Sequence, residues 1–413
     1  MLPPREGAVA LQGDRVSDVV VIGAGYTGLA AARRIAELAP EARIIALDAS
    51  TVGEGNPGRN SGFLLEVSLA NDADPQAIQR MAECNRLIAG AMRDLASLVR
   101  QYHIDCDLVR AGTYRAAAGD NGMAALRRYR AFLDAAGLPY DALPHDEIHR
   151  RLGTRFYREG LYSPHCYLVQ PAALIRGLAG ALPDSVTLFE KSPAVTLQRR
   201  NAMWSVRTPD GSASAPNVVV ANNAFCKNLG LGRARIATIY TYAALTEPLS
   251  QTLLDELGSD LNWGLLPAHR LGSTMRRTID GRLLVRSLYG YEKEADNART
   301  GRDLLSALHA RFPQAAGTRF ESIWSGATGF TVNGGPLWGQ LETGIFISAG
   351  CNGGGVVKGT LFGQAIADRV LDRKTADIPA LFGRAGWMPP EPLRRIGFHV
   401  ISAMERSKGH AEV

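Results

Sequence analysis

"DVVVIGAGYTGLAAARRIAEL", residues 18–38, decides the fold. Asp18 to Ile22 is a short run of branched apolar residues without polar alternation, which predicts a strand buried on both faces of a parallel sheet. The glycines of GAGYTG follow at once, and an alanine-rich helical stretch follows them, so the order is strand, tight turn, helix. Gly23 permits the turn, Gly25 lets the backbone approach a pyrophosphate, and Gly28 lets the helix pack close to the strand. Tyr26 and Thr27 sit in the same turn, where unpaired helix N–H groups would face an anion. The next apolar run, Arg43 to Leu47, ends in Asp48, 20 residues after Gly28. That is the offset at which a carboxylate meets an adenosine ribose, and it favours FAD or NAD over NADP. Ala49 follows it at the strand end.

The rest of the composition narrows the class. The chain has 413 residues and a net charge of +6, with its basic residues scattered as short pairs such as Arg33-Arg34 and Arg276-Arg277. This is a solvated surface, and no nucleic-acid partner is expected. The five cysteines, Cys84, Cys106, Cys166, Cys226 and Cys351, form no CxxC pair and no ligand cluster, which predicts reduced thiols and no metal centre. No stretch is apolar for the length a bilayer demands, so a cytoplasmic protein without a membrane span is expected.

After Asp48 an NAD dehydrogenase would proceed to another helix and strand. This chain instead enters STVGEGNPGRNSGFLLE, residues 50–66, an irregular glycine-rich stretch able to wrap a long ligand. Arg59 can pair there with phosphate or lie against an electron-rich ring. The pieces DVVVIGAGYTGLAAA, LDAS and GRNSGF together resemble the D-amino acid oxidase-like (DAO) family of FAD-dependent oxidoreductases, in particular its gamma-glutamylputrescine oxidase branch. The resemblance implies that Arg59, Asn60, Ser61 and Gly62 line FAD. It also implies an α/β plus α+β fold: a Rossmann-like FAD-binding domain of the GR2 type with an antiparallel-sheet substrate domain.

A second signature supports it. GIFISAG reads as a buried strand, GCNGGG as a loop and VVKGTLFGQAIADRVL as a helix. In the family the start of this helix faces the flavin pyrimidine ring, so Gly353, Gly354, Gly355, Val356 and Lys358 are expected there, with Gly326 of WSGATGF. No further strand ending in a ribose acid follows, which argues against a second pyridine-nucleotide site. By resemblance Val195 or a neighbour lies against adenine, and Ala221 and Asn222 end the strand beneath the pyrophosphate. The implied division gives FAD-binding segments at 1–78, 156–235 and 325–380, a substrate and helical segment at 79–155, sheet strands at 236–324 and a tail at 381–413.

Between the signatures, apolar spacing predicts helices from Pro75 to about Gln101, from about Gly122 to Ala136 and around His145 to Leu152. Met81 and Met92 are expected in the core. His145 and His149 lie one turn apart without a third ligand, and are expected to face solvent. Asp280-Gly281 marks a hairpin within the β-rich region 236–330. The tail, from Trp387, begins with a proline stop and continues as a basic amphipathic segment. It is expected to pack on the body of the protein, with membrane-surface contact as the alternative.

The family's chemistry holds the α C–H bond of an unprotonated amine over flavin N5, passes a hydride to the flavin and leaves an imine that hydrolyses. It asks little acid or base of the protein, and Arg59, Arg286 and Trp324 are the candidate catalytic residues. Some relatives attach FAD through a cysteine just after a motif like WSGATGF. None stands between Trp324 and Phe330, so FAD is expected to be non-covalent. Sarcosine-oxidase-type relatives activate oxygen with a lysine on the substrate sheet. The comparable RLLVRSL offers only Arg286, leaving oxygen or another electron acceptor open. A carboxylate substrate would need Arg115, Arg276 or Arg286, and a polyamine would need a carboxylate such as Glu66. Tyr240, Tyr242, Tyr289 and Phe330 are further substrate candidates. A hydroxy-acid or alcohol dehydrogenase and a non-catalytic flavoprotein subunit are the alternative readings.

Overall fold

The computed structural model describes residues 2–3, 5–67, 77–409 and 412. Val19–Ile22 forms the strand expected from the opening motif, and Tyr26–Leu38 the helix after it. That strand sits inside a six-stranded sheet ordered Leu337–Glu342, Ile345–Ala349, Asn217–Val220, Val19–Ile22, Ile44–Leu47, Val186–Phe189. Every neighbouring pair is parallel except the first, which is an antiparallel hairpin.

The continuous apolar runs are explained by burial on both sides. Val19 and Val21 face Ala31, Ala32, Ile35 and Ile366 of two helices, Tyr26–Leu38 and Val357–Val370. Val20 and Ile22 face Trp204, Val206, Ala213 and Ala215, which belong to a small second sheet. With side chains alternating across the strand, each face finds its own apolar layer.

A larger, eight-stranded sheet runs in the order Phe320–Phe330, Ala237–Thr246, Leu283–Tyr291, Thr274–Arg277, Trp263–Pro267, Thr113–Ala117, Glu159–Ser163, Asp141–Pro144. It is antiparallel apart from one parallel pair, Trp263–Pro267 with Thr113–Ala117. Of its last three strands, Thr113–Ala117 and Asp141–Pro144 come from the segment read as substrate and helical, where hydrophobic spacing points only to helices, and Glu159–Ser163 comes from the segment read as FAD-binding. One face packs on Asn297–Arg311 through Leu304, Leu308, Trp263 and Tyr242. The hairpin at Asp280-Gly281 is present, with Gly281 at φ +73° closing a turn in which the Thr278 N–H donates to Arg282 O at 2.9 Å.

The long helix is described from Ile78 to Gln101; its expected start at Pro75 lies outside the described residues. Met81 and Met92 are buried as expected. The other two expected helices span Asp120–Ala135 and His145–Leu152. The histidines of the latter are half-buried rather than solvent-facing, and His145 Nδ1 is 2.8 Å from Tyr157 O. Among the described residues no cluster could hold a metal, and no helix is long and apolar enough to cross a membrane. The tail forms the helix Leu393–Lys408, which rests on the body along one side.

Candidate flavin and substrate cleft

The turn after the first strand is shaped by two glycines. Gly23 stands at φ +103°, a left-handed conformation open to glycine, and a Cβ on Gly28 would lie 1.8 Å from Gly23 O. The helix therefore starts directly on the turn. Its Gly25 cap has no side-chain bond and its first turn no acid, so its N–H groups are left for an anion. The helix Val357–Val370 packs alongside and also begins without a side-chain cap.

Both helix starts open onto one cleft of about 1510 Å³. At the nucleotide end it is lined by Gly23, Gly25, Tyr26, Thr27, Asp48, Ala49, Ala221 and Asn222, and farther in by Arg59, Asn60, Ser61, Gly326, Gly353, Gly354, Gly355, Val356 and Lys358. Sequence separations of more than 300 residues are thus brought to one wall. Asp48 accepts from Ala24 N at 2.9 Å and Ser50 N at 3.0 Å; burial raises its carboxyl above the ordinary range, and those two donors pull it back. Asn222 Oδ1 is buried and has no hydrogen-bond partner among the described residues, as an acceptor waiting on a ligand would be. Bare helix starts, a strand-end carboxylate and an orphaned amide oxygen on one long cleft fit a dinucleotide such as FAD.

Gly28 and Gly62 do not line the cleft; they shape it from behind. At Gly62, φ is +77° and a Cβ would stand 2.2 Å from both Arg276 Nη1 and Val169 O. Of the position expected at Val195 or a neighbour, Val195 itself is 55% exposed just before the small sheet's strand Thr196–Arg200, and the neighbours Pro193 and Ala194 line the cleft. An offset of one or two residues in an irregular bend has no sequence signal.

The GRNSGF loop is tied to the large sheet. Trp324 Nε1 donates to Arg59 O at 2.9 Å, Arg59 Nη1 to Ser325 O at 3.4 Å, and Ala327 N to Asn56 Oδ1 at 2.6 Å. Trp324, a catalytic candidate, is outside the cleft lining and acts as a tie. Asn60 braces the loop itself, accepting from Gly62 N at 2.8 Å and donating to Pro57 O at 2.7 Å.

Three substrate candidates are corrected. Arg276 is buried and donates from Nη1 to Val169 O at 2.6 Å and Ser61 O at 3.1 Å; desolvation pushes its guanidinium down to about 10. It pins the GRNSGF loop and is absent from the cleft lining. Tyr242 lies in the core beside Trp263, its hydroxyl accepting from Ala295 N at 2.6 Å. Glu66 accepts from Arg110 Nη2 at 2.9 Å away from the cleft. In each case local packing, which no single aromatic or charge reveals, decided the position: a bulge for Tyr242, the covering loop at Ser61 and Gly62 for Arg276, and Arg110 for Glu66. We expect Arg276→Met to lose about 1–3 kcal/mol of stability, because two carbonyls lose their donor, and to retain less flavin, as urea unfolding and the flavin-to-protein absorbance ratio would show.

Arg115, Tyr240, Arg286, Tyr289 and Phe330 do line the cleft. Arg286 faces it from Leu283–Tyr291, paired across to Ala243 and Thr274, with Nη1 donating to the Tyr289 hydroxyl at 3.3 Å. Arg115 lies over the Tyr129 ring at 4.6 Å and donates to Pro267 O at 3.2 Å, while its Nε has no partner. Burial lowers its pKa. Neither arginine meets a carboxylate among the described residues. Sequence reasoning missed Asn56, His269, Glu294 and the inner side of the last helix, all in the lining. It also missed Asn223, which accepts from Gly350 N at 2.8 Å and so holds the second glycine loop. The Asn222-Asn223 doublet at a strand end was the available signal.

The family model for "DAO: FAD dependent oxidoreductase" matches residues 18–369. The chain is 28% identical over 368 residues to a gamma-glutamylputrescine oxidoreductase of Escherichia coli, spanning 85% of this chain and 83% of that one. It is 26% identical over 369 residues to the probable oxidoreductase OrdL of Haemophilus influenzae, spanning 86% and 83%. Among solved structures, glycine oxidase from Geobacillus kaustophilus superposes with a TM-score of 0.78 at 20% identity, covering 91% of this chain and all of that one. L-proline dehydrogenase from P. horikoshii gives 0.73 at 16% identity, covering 94% and 99%. These two likenesses show the fold.

Proposed function

Since the chain belongs to the DAO family of FAD-dependent oxidoreductases, we propose that it oxidises a C–N bond of an amine or amino acid that carries a carboxylate. The observation that carries this reading is Arg286, half-buried on the cleft-facing side of the large sheet with no carboxylate partner among the described residues. Its strand is separated by one other, Ala237–Thr246, from the strand whose Ser325 carbonyl holds Arg59. At strand spacing that is about 10 Å, a span an amino-acid-sized substrate bridges.

Bound FAD supplies the two-electron acceptor for the C–H bond next to nitrogen. The chain's share is positioning: Arg286 takes the carboxylate through its planar fork, and Tyr289 holds that fork in place. The product imine, released to water, hydrolyses to carbonyl and amine. Tyr240 and Phe330 give the cleft apolar surface on which an uncharged amine loses little by leaving water.

FAD is held without a covalent bond in this reading. Cys351 and Cys84 are the cysteines in the lining; burial raises the Cys351 thiol above its usual range, which keeps the nucleophilic thiolate scarce. Anaerobic titration with amino acids, the matching decarboxylated amines and hydroxy acids should bleach the flavin band with the first group most readily. Acid precipitation should leave all of the flavin in the supernatant. Bleaching by hydroxy acids alone would overturn the C–N assignment.

A further inference from the structure

The helix Leu393–Lys408 presents three different sides. Arg394, Phe398, Ser402 and Glu405 are half-buried and line the cleft; the Phe398 ring stacks on Tyr291 at 5.1 Å, and Glu405 lies 3.9 Å from His269. Turned away from the cleft, Ile396, Val400 and Met404 recur at intervals of four, with Leu393 at the cleft edge and Trp387 just ahead of the helix. These five are between 52% and 65% exposed. At 3.6 residues per turn Ile396, Val400 and Met404 make one continuous outward stripe, whereas a soluble surface scatters such side chains singly.

Beside that stripe lies a cationic one. Arg395 and Arg406 are exposed on the flank, with His399 between them, and Arg384 is exposed just upstream of Trp387. Of the segment's two carboxylates, Glu405 is half-buried and faces His269, while Glu391 is exposed and accepts from the Tyr291 hydroxyl and the Arg395 N–H. Its other outward charges are positive.

We propose that this face docks on an anionic lipid surface, with Trp387, Ile396, Val400 and Met404 at the boundary of headgroups and acyl chains and Arg384, Arg395 and Arg406 among the phosphates. Adjacent apolar and cationic stripes on one exposed helix are what that boundary selects. A second copy of the chain fits poorly. A two-fold contact would set Arg395 and Arg406 against a surface of the same net positive charge, whose exposed carboxylate, Glu391, is already bonded by the Tyr291 hydroxyl. Because the opposite side of this helix lines the cleft, docking would hold the cleft about one helix diameter, some 10 Å, from the lipid.

The test uses the purified full chain with its flavin and vesicles of phosphatidylcholine, with and without phosphatidylglycerol, in a sedimentation assay. Binding to the mixed vesicles is expected to exceed binding to phosphatidylcholine alone by at least about tenfold and to weaken as salt rises, since each basic residue near the surface adds to the attraction. The triple variant I396E/V400E/M404E alters exposed side chains outside the cleft lining. It should lose at least about tenfold in vesicle binding while keeping its flavin and its reduction by substrate. Failure of the wild type to bind mixed vesicles, or equal binding by the variant, overturns the proposal. So does a wild-type dimer in analytical ultracentrifugation that the variant converts to a monomer, which would assign the stripe to a second copy.

Discussion

Gly28→Val is expected to give a colourless protein. The new Cβ would sit 1.8 Å from Gly23 O and 3.0 Å from Gly23 C, both backbone atoms of a turn already committed to φ +103°. Neither atom can rotate aside as a flexible side chain would. The helix Tyr26–Leu38 must move off the strand, taking with it the N–H groups aimed into the cleft. A weakening of FAD binding by at least about 100-fold, close to 3 kcal/mol, is the expected scale. The flavin-to-protein absorbance ratio reads it directly, and the melting temperature should fall because bound flavin no longer favours the folded state. Gly180→Ala is the matched control, since a Cβ there meets nothing within 4 Å. Full flavin content and an unchanged melting temperature in Gly28→Val would remove this turn from the FAD site.

The second large effect is expected on the substrate side. Arg286→Met should lower kcat/KM for a carboxylate-bearing amine by about 100- to 1000-fold, on the scale of losing one member of a hydrogen-bonded charge pair, with flavin content unaltered. Arg286→Lys should recover only part of this, because a single ammonium cannot replace the fork. The corresponding amine without its carboxylate should be nearly indifferent to either change. An equal loss for both substrates would mean that Arg286 shapes the sheet, through Tyr289 and the Arg270 carbonyl to which the Tyr289 hydroxyl donates at 3.3 Å, and recognises nothing.

The nucleotide half of the cleft was legible because its chemistry is local. A strand, a turn and a helix start lie within twenty-odd consecutive residues, and the φ and close-approach demands on Gly23 and Gly28 leave a visible glycine spacing. Asp48 is readable for the same reason, standing at the end of the adjacent strand. The substrate half was not legible in that way. Tyr240 and Tyr242 are two residues apart, yet a bulge between Thr241 and Tyr242 shifts their register, and Tyr242 ends in the core while Tyr240 reaches the cleft. Arg276 and Arg286 are equal as letters in the sequence, and one is a strut while the other faces the cleft. Three strands of the large sheet, from residues 113–163, join it only through Thr113–Ala117, which pairs with Trp263–Pro267 about 150 residues away, so their place in it was hidden.

By itself, then, the sequence revealed two glycine turns of the kind that hold a dinucleotide, the resemblance to the DAO family that the family model bears out, and several arginines that could meet a carboxylate. Those are statements about short segments, where backbone sterics and hydrogen bonding act between near neighbours. Only the tertiary structure decided which arginine faces the cleft, which tyrosine joins the core, and that the last helix lines the cleft on one side while leaving an apolar stripe uncovered on the other. Each of those depends on strand register and on which distant layer covers a face, and burial is a property of the packed whole.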